Sequence, residues 1–95
     1  MGIFPFKVVV CRKASVAQSA VNDYWSINCP SETGYTRVVT SIHTGEPASI
    51  IVKNFDFNGD LIRVYTQNIS GDTKTFAITI VVLFIPDNNI TPITT

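Results

Sequence analysis

Side chains able to do chemistry are few among the 95 residues of this chain. The only histidine is His43. Nucleophilic catalysis needs a base that a carboxylate orients, and hydrolytic metal sites usually draw on more than one nitrogen ligand. A single imidazole near the end of an extended segment meets neither requirement. Paired carboxylates are the other route to hydrolysis. Here Glu32 and Glu46 join five aspartates, all in or beside segments of turn chemistry, where short acids serve as caps. No phosphate-cradling glycine loop or dinucleotide fingerprint occurs. The expectation is a protein with no catalytic residues, no cofactor and no enzymatic activity.

Four other groups of residues bear on function. Asp56-Phe57-Asn58-Gly59-Asp60 sets oxygen donors at alternate positions, like the opening of a calcium loop. Leu61 stands where that loop needs its glycine and Gln67 replaces its bidentate acid, so no metal ligands are assigned. Cys11 and Cys29 could close one bridge, which would stabilise the fold by about 3 kcal/mol. Two cysteines do not make a disulfide framework, and Met1–Lys7 lacks the basic head and small-residue cleavage site of a secretion signal. Reduced thiols are the expected state, with the bridge as the open alternative. Asn68-Ile69-Ser70 and Asn89-Ile90-Thr91 match the glycosylation sequon but are expected to be unmodified. Tyr24, Trp25 and Tyr65 are the candidates for stacking on a sugar ring. Strand alternation sends Tyr24 and Trp25 to opposite faces, so one of the two belongs to the core.

The elements that position these residues follow from composition. Hydrophobic residues make up 45% of the chain, charged residues 15%, and seven basic side chains cancel seven acidic ones. That balance excludes intrinsic disorder. It leaves no basic excess to displace counterions from phosphates, so no nucleic acid is expected as a partner. No apolar run is long enough for membrane insertion as a helix. Thirty-four of the 95 residues are Ile, Val or Thr, against two Leu and five Ala. Branching at Cβ disfavours helix and suits a pleated sheet, so the fold class is all-β.

Strands are expected at Phe4–Arg12, Val21–Cys29, Tyr35–Thr44, Ser49–Phe57, Asp60–Asn68 and Thr73–Pro86, with a seventh at Ser15–Gln18. Turns about every ten residues point to one small antiparallel β-sandwich or jelly-roll-like barrel over residues 1–95. A two-residue turn at Asn58-Gly59 would pair Phe57 with Asp60, Phe55 with Ile62, Lys53 with Val64 and Ile51 with Thr66, that face looking inward. The opposite face would carry Asp56, Asn54, Arg63 and Gln67 among Ile50, Val52, Leu61 and Tyr65, turning apolar away from the turn.

The segment Phe76–Ile85 is apolar on both faces. Alternation places Phe76, Ile78, Ile80, Val82 and Phe84 on one side and Ala77, Thr79, Val81, Leu83 and Ile85 on the other. A sandwich of this size has one internal core, and at ~25 cal/mol per Å² an uncovered second face forfeits several kcal/mol. The second set is therefore the expected oligomer interface, and a closed homotrimer buries one identical strand per protomer. The terminal arms, residues 1–6 and 87–95, have no partner strand in the sequence and are expected to lie against neighbours.

The run from Cys29 to Val39, CPSETGYTRVV, the run from Gly59 to Asn68, GDLIRVYTQN, and the apolar last strand resemble small β-sandwich modules of tailed-bacteriophage virions. Such modules occur as capsid decoration proteins, head fibres and fibre tips, commonly as trimers. The resemblance spans Tyr24–Pro86 and brings no functional residue with it. It implies a virion structural protein, assembled in the host cytoplasm, whose partners are its own copies and other capsid or tail proteins. Met1 leads straight into a strand with no shaft, which points to a decoration or adaptor component. The rival expectation is a carbohydrate-binding fibre tip that reads a host glycan through Tyr24, Trp25 and Tyr65.

Overall fold

The computed structural model of the chain describes residues 5–95. Six strands run in chain order as β1 (Lys7–Gln18), β2 (Asn22–Asn28), β3 (Tyr35–Thr44), β4 (Ile50–Asn58), β5 (Leu61–Asn68) and β6 (Lys74–Pro86), followed by a single 3-10 turn at Asp87–Asn89. They form two antiparallel three-stranded sheets, ordered β1-β6-β3 and β2-β5-β4. The sheets pack as a sandwich, and only the β4–β5 connection stays within one sheet. No helix in the described residues is long and apolar enough to cross a membrane.

The central strands supply most of the core. From β6 come Phe76, Ile78, Ile80, Val82 and Phe84, and from β5 come Ile62 and Val64. Cys11, Val16, Ile27, Cys29 and Ile50 close the space from the flanking strands. Each such aliphatic side chain contributes about 1.5–3 kcal/mol when withdrawn from water. The strict alternation of β6 is what divides Phe76–Ile85 into a buried set and an outward set.

Several expectations are corrected. Cys11 and Cys29 are joined as a disulfide, not held as free thiols, with their Cα atoms 5.7 Å apart. The expected seventh strand at Ser15–Gln18 is the end of β1, which continues through an irregularity between Lys13 and Val16. The β4–β5 turn is centred on Gly59-Asp60, so Asn58 pairs with Leu61, Phe57 with Ile62 and Phe55 with Val64. Gly59 has φ +60° while no non-glycine residue among the described ones has positive φ, the signature of a hairpin turn with glycine at its first central position. A second irregularity, between Val52 and Asn54, inverts the start of β4. Ile50 is thereby buried, Val52 packs on the core and Ile51 is exposed. On the outer side of this hairpin Ile51, opposite Gln67, therefore stands where Ile50 and Val52 were expected.

A buried polar knot fastens the corner between β1 and β2. Gln18 and Thr66 are almost fully buried. The Gln18 amide donates to the carbonyls of Ala20 (3.0 Å) and Thr66 (3.3 Å), and its Oε1 accepts from the Thr66 hydroxyl. Trp25 Nε1 donates to Thr66 Oγ1 at 3.0 Å. Asn68 Nδ2 donates to the carbonyls of Gln18 (2.9 Å) and Asp72 (2.8 Å). Every buried side-chain polar atom described has a partner, as low-dielectric surroundings demand.

At the termini, Met1–Phe4 of the expected amino-terminal arm lie outside the described residues, and Pro5 and Phe6 are exposed. The start of the other arm is held by the chain itself. Asp87 N–H donates to the Gly34 carbonyl (2.9 Å), and the Thr36 hydroxyl donates to Asp87 Oδ1 (2.6 Å). Residues 90–95 are exposed and carry no strand.

Candidate functional site

The outer face of β1-β6-β3 is arranged in rows. Leu83 of β6 sits between Val8 of β1 and Val38 of β3, and Val81 sits between Val10 and Ser41. Val8 and Val10 are 68% and 58% exposed, and Val38 39%. Ala77, Thr79, Val81, Leu83 and Ile85 are half-buried, shielded by the flanking strands but covered by no further layer among the described residues. At one end the patch meets a polar row, Arg12–Thr79–His43. An apolar field with a polar border is the usual composition of a surface that meets another protein.

The outer face of β2-β5-β4 is different in kind. Tyr24 and Tyr65 are cross-strand partners with ring centroids 5.7 Å apart. Tyr24 is 54% exposed. Asp56 and Arg63 face each other across β4 and β5. Arg63 binds the carboxylate with both prongs, Nε to Oδ1 at 2.7 Å and Nη2 to Oδ2 at 2.9 Å. The Tyr65 hydroxyl donates to Asp56 Oδ2 at 3.0 Å. This guanidinium, and then the phenol, hold the Asp56 carboxyl below the ordinary carboxylate range. The same contacts push Arg63 up, and the hydrogen bond to Asp56 pushes the Tyr65 phenol up.

The third stacking candidate lies elsewhere. Trp25 pairs with Val64 and points inward, its ring edge-on to Phe76 at 6.4 Å. Tyr24 and Tyr65 thus come together without it. Ile27 and Cys29, apolar residues on the same side of the strand as Trp25, were the signal for this choice.

No cation cage forms from Asp56, Asn58 and Asp60. Asp56 is occupied by Arg63 and Tyr65, and Asp60 Oδ1 accepts both the backbone N–H and the hydroxyl of Ser31 at 3.1 Å. Among the described residues no cluster of three potential metal ligands occurs. Glu32 is engaged by Lys7 at 2.7 Å, and that bond raises the Lys7 pKa. His43 contacts Ser41 Oγ at 3.1 Å and lines a groove of about 400 Å³ with Ile42, Thr44, Pro47 and Ile50–Val52, where no carboxylate is present. Asn68 of the first sequon is fully engaged in the fold, its amide nitrogen donating to Gln18 and Asp72 while its oxygen accepts from Ser70.

Comparison with protein-family models, curated proteins and solved structures gives no match. The reading of function therefore rests on two outer faces, one apolar and one aromatic and polar.

Proposed function

We propose that this protein is a non-enzymatic structural component of a bacteriophage virion, a capsid decoration, head-fibre or adaptor protein that assembles as a homotrimer through the outer face of β1-β6-β3. One observation carries the reading. Val8, Val10 and Val38 stand exposed around Val81 and Leu83, and among the described residues no other layer covers them. The described chain has no helix to lay over that face, so a second copy of the same sheet is the available cover. Three copies that turn this sheet toward a common threefold axis leave no unpaired copy of the patch. The virion assignment adds the resemblance of Cys29–Val39 and Gly59–Asn68 to phage β-sandwich modules.

Sedimentation equilibrium of dilute protein tests the assembly. A trimer is expected, and Val81→Lys or Leu83→Lys should yield folded monomers, because a charge cannot enter the contact unpaired. A well-folded wild-type monomer at every concentration would overturn the reading. The neighbouring reading frames test the virion assignment separately: capsid and portal genes are expected beside this one.

A further inference from the structure

We propose that the outer face of β2-β5-β4 is a binding site for a neutral pyranose sugar, stacked on Tyr24 and hydrogen-bonded to the Asp56–Arg63 pair. The site lies on the other sheet from the proposed assembly face, so it stands or falls independently of that reading.

Two features of this face lead there. A pyranose offers a face of C–H groups rimmed by hydroxyls, and an exposed aromatic ring beside fixed polar groups matches both parts. Tyr24 supplies the ring, more than half exposed and steadied by its contact with Tyr65. Asp56 and Arg63 supply the polar part, already locked by their two-pronged bond and by the Tyr65 hydroxyl. A carboxylate has about four acceptor positions and a guanidinium five N–H donors. One acceptor on Asp56 and three donors on Arg63 thus remain for ligand hydroxyls, in a geometry that needs no reordering on binding.

Around this centre lie polar groups with no side-chain partner in the fold. Ser26 is the cross-strand neighbour of Arg63, and Asn54 that of Tyr65. Neither side chain, nor the Tyr24 hydroxyl, makes a hydrogen bond within the described residues. The charges of Asp56 and Arg63 cancel each other, and Lys13 Nζ is spent on the Ser26 carbonyl at 3.3 Å, so the central pair offers a carboxylate or sulfate no net positive charge. That is why the ligand is a neutral sugar and not an acidic one.

Titration of the ¹⁵N-labelled full chain with the methyl glycosides of glucose, galactose, mannose and N-acetylglucosamine tests this, with N-acetylneuraminic acid as the acidic arm. At least one neutral glycoside is expected to move the amide resonances of Tyr24, Ser26, Asn54, Arg63 and Tyr65. The Trp25 indole resonance, on the inward side, should stay in place. Tyr24→Ala should weaken binding about tenfold, the equivalent of losing one good ring contact. Tyr24→Thr removes the ring while keeping a strand-forming residue, and serves if the alanine variant fails to fold. No shifts with any neutral glycoside at about 50 mM would overturn the proposal, since millimolar dissociation constants are detectable there. Unchanged affinity after loss of the Tyr24 ring would overturn it too, as would tighter binding of N-acetylneuraminic acid.

Discussion

Cys11, in the middle of β1, is bonded to Cys29, the residue directly after β2, so one covalent link joins the two sheets along the edge where β1 and β2 approach. Both residues are buried in the core. The link closes a segment with a sequence separation of 18, and restricting the unfolded chain over such a loop stabilises by about 3 kcal/mol. Chemical denaturation with and without reductant should show a loss of that size, and Cys11→Ala with Cys29→Ala should reproduce it. An unchanged midpoint in protein shown to have two free thiols would mean that the core alone sets the stability.

Thr66→Val probes the polar knot at the β1–β2 corner. Valine has nearly the volume of threonine, so no cavity forms. The substitution removes the oxygen that accepts from Trp25 Nε1 and the hydroxyl that donates to Gln18 Oε1. Two buried groups lose a partner, and the expected destabilisation is about 1–3 kcal/mol. Trp25 is the only tryptophan, so its fluorescence during urea unfolding reads the change directly. A loss below about 0.5 kcal/mol, the level of an ordinary surface change, would show that these groups are satisfied by other means.

The β4–β5 hairpin shows what the sequence makes legible and what it hides. The turn lies one residue later than Asn58-Gly59 suggests, because Gly59 at positive φ can serve as either central residue of a two-residue turn. Moving the turn by one residue changes every cross-strand partner but leaves each side chain on its own face. Phe55 and Phe57 therefore stay on the side of Val64 and Ile62, but on the edge strand they are 37% and 42% exposed and do not join the core that the sequence assigns them to. The bulge between Val52 and Asn54 does not spare Ile50–Val52, since one extra residue reverses the faces. No residue type announces that bulge. The correct partners also bring Asp56 opposite Arg63, where the expected ones set Asn54 there. Opposite charges favour facing positions, and that complementarity was a readable signal for the correct register. The bounds of β3 and the alternation of β6 needed no such help, because both strands are rich in β-branched residues and turn residues flank them, Gly34 and Gly45 around β3 and Gly71 before β6.

Asp56 ties the aromatic face to pH. Its carboxyl is held below the usual range, first by the Arg63 guanidinium and then by the Tyr65 hydroxyl. A lowered folded-state pKa means that its contribution to stability is complete above the unfolded value, about 3.9, and is lost as pH falls through the folded value. Carboxylate ¹³C titration should place the Asp56 midpoint below that reference, and Arg63→Ala should raise it. Tyr65 behaves oppositely. Its pKa is raised, chiefly by the bond to Asp56, so its contribution is complete below the unfolded value near 10 and is lost as pH rises through the folded one. Asp56→Asn should bring the Tyr65 midpoint down in an ultraviolet titration of phenolate. An Asp56 midpoint indifferent to Arg63→Ala would show that the ion pair is not held in solution.

Ile80 and Val81 are chain neighbours on opposite faces of β6, and their variants separate folding from assembly. Ile80 is fully buried among the core residues of both sheets. Ile80→Ala removes three carbons from a close-packed interior and should cost about 2–5 kcal/mol at any protein concentration. Val81 is half-buried on the outer side, between Val10 and Ser41. Val81→Thr keeps its shape and strand preference but makes the patch wetter. If copies of the chain meet there, association stabilises the folded state by mass action, and thermal stability rises with protein concentration. Val81→Thr should then lower the melting temperature at high concentration and leave it nearly unchanged at high dilution, whereas Ile80→Ala lowers it equally at both. An identical loss for Val81→Thr across the whole range would mean that the outer side of β6 serves the single chain alone, and the trimer would lose its physical basis.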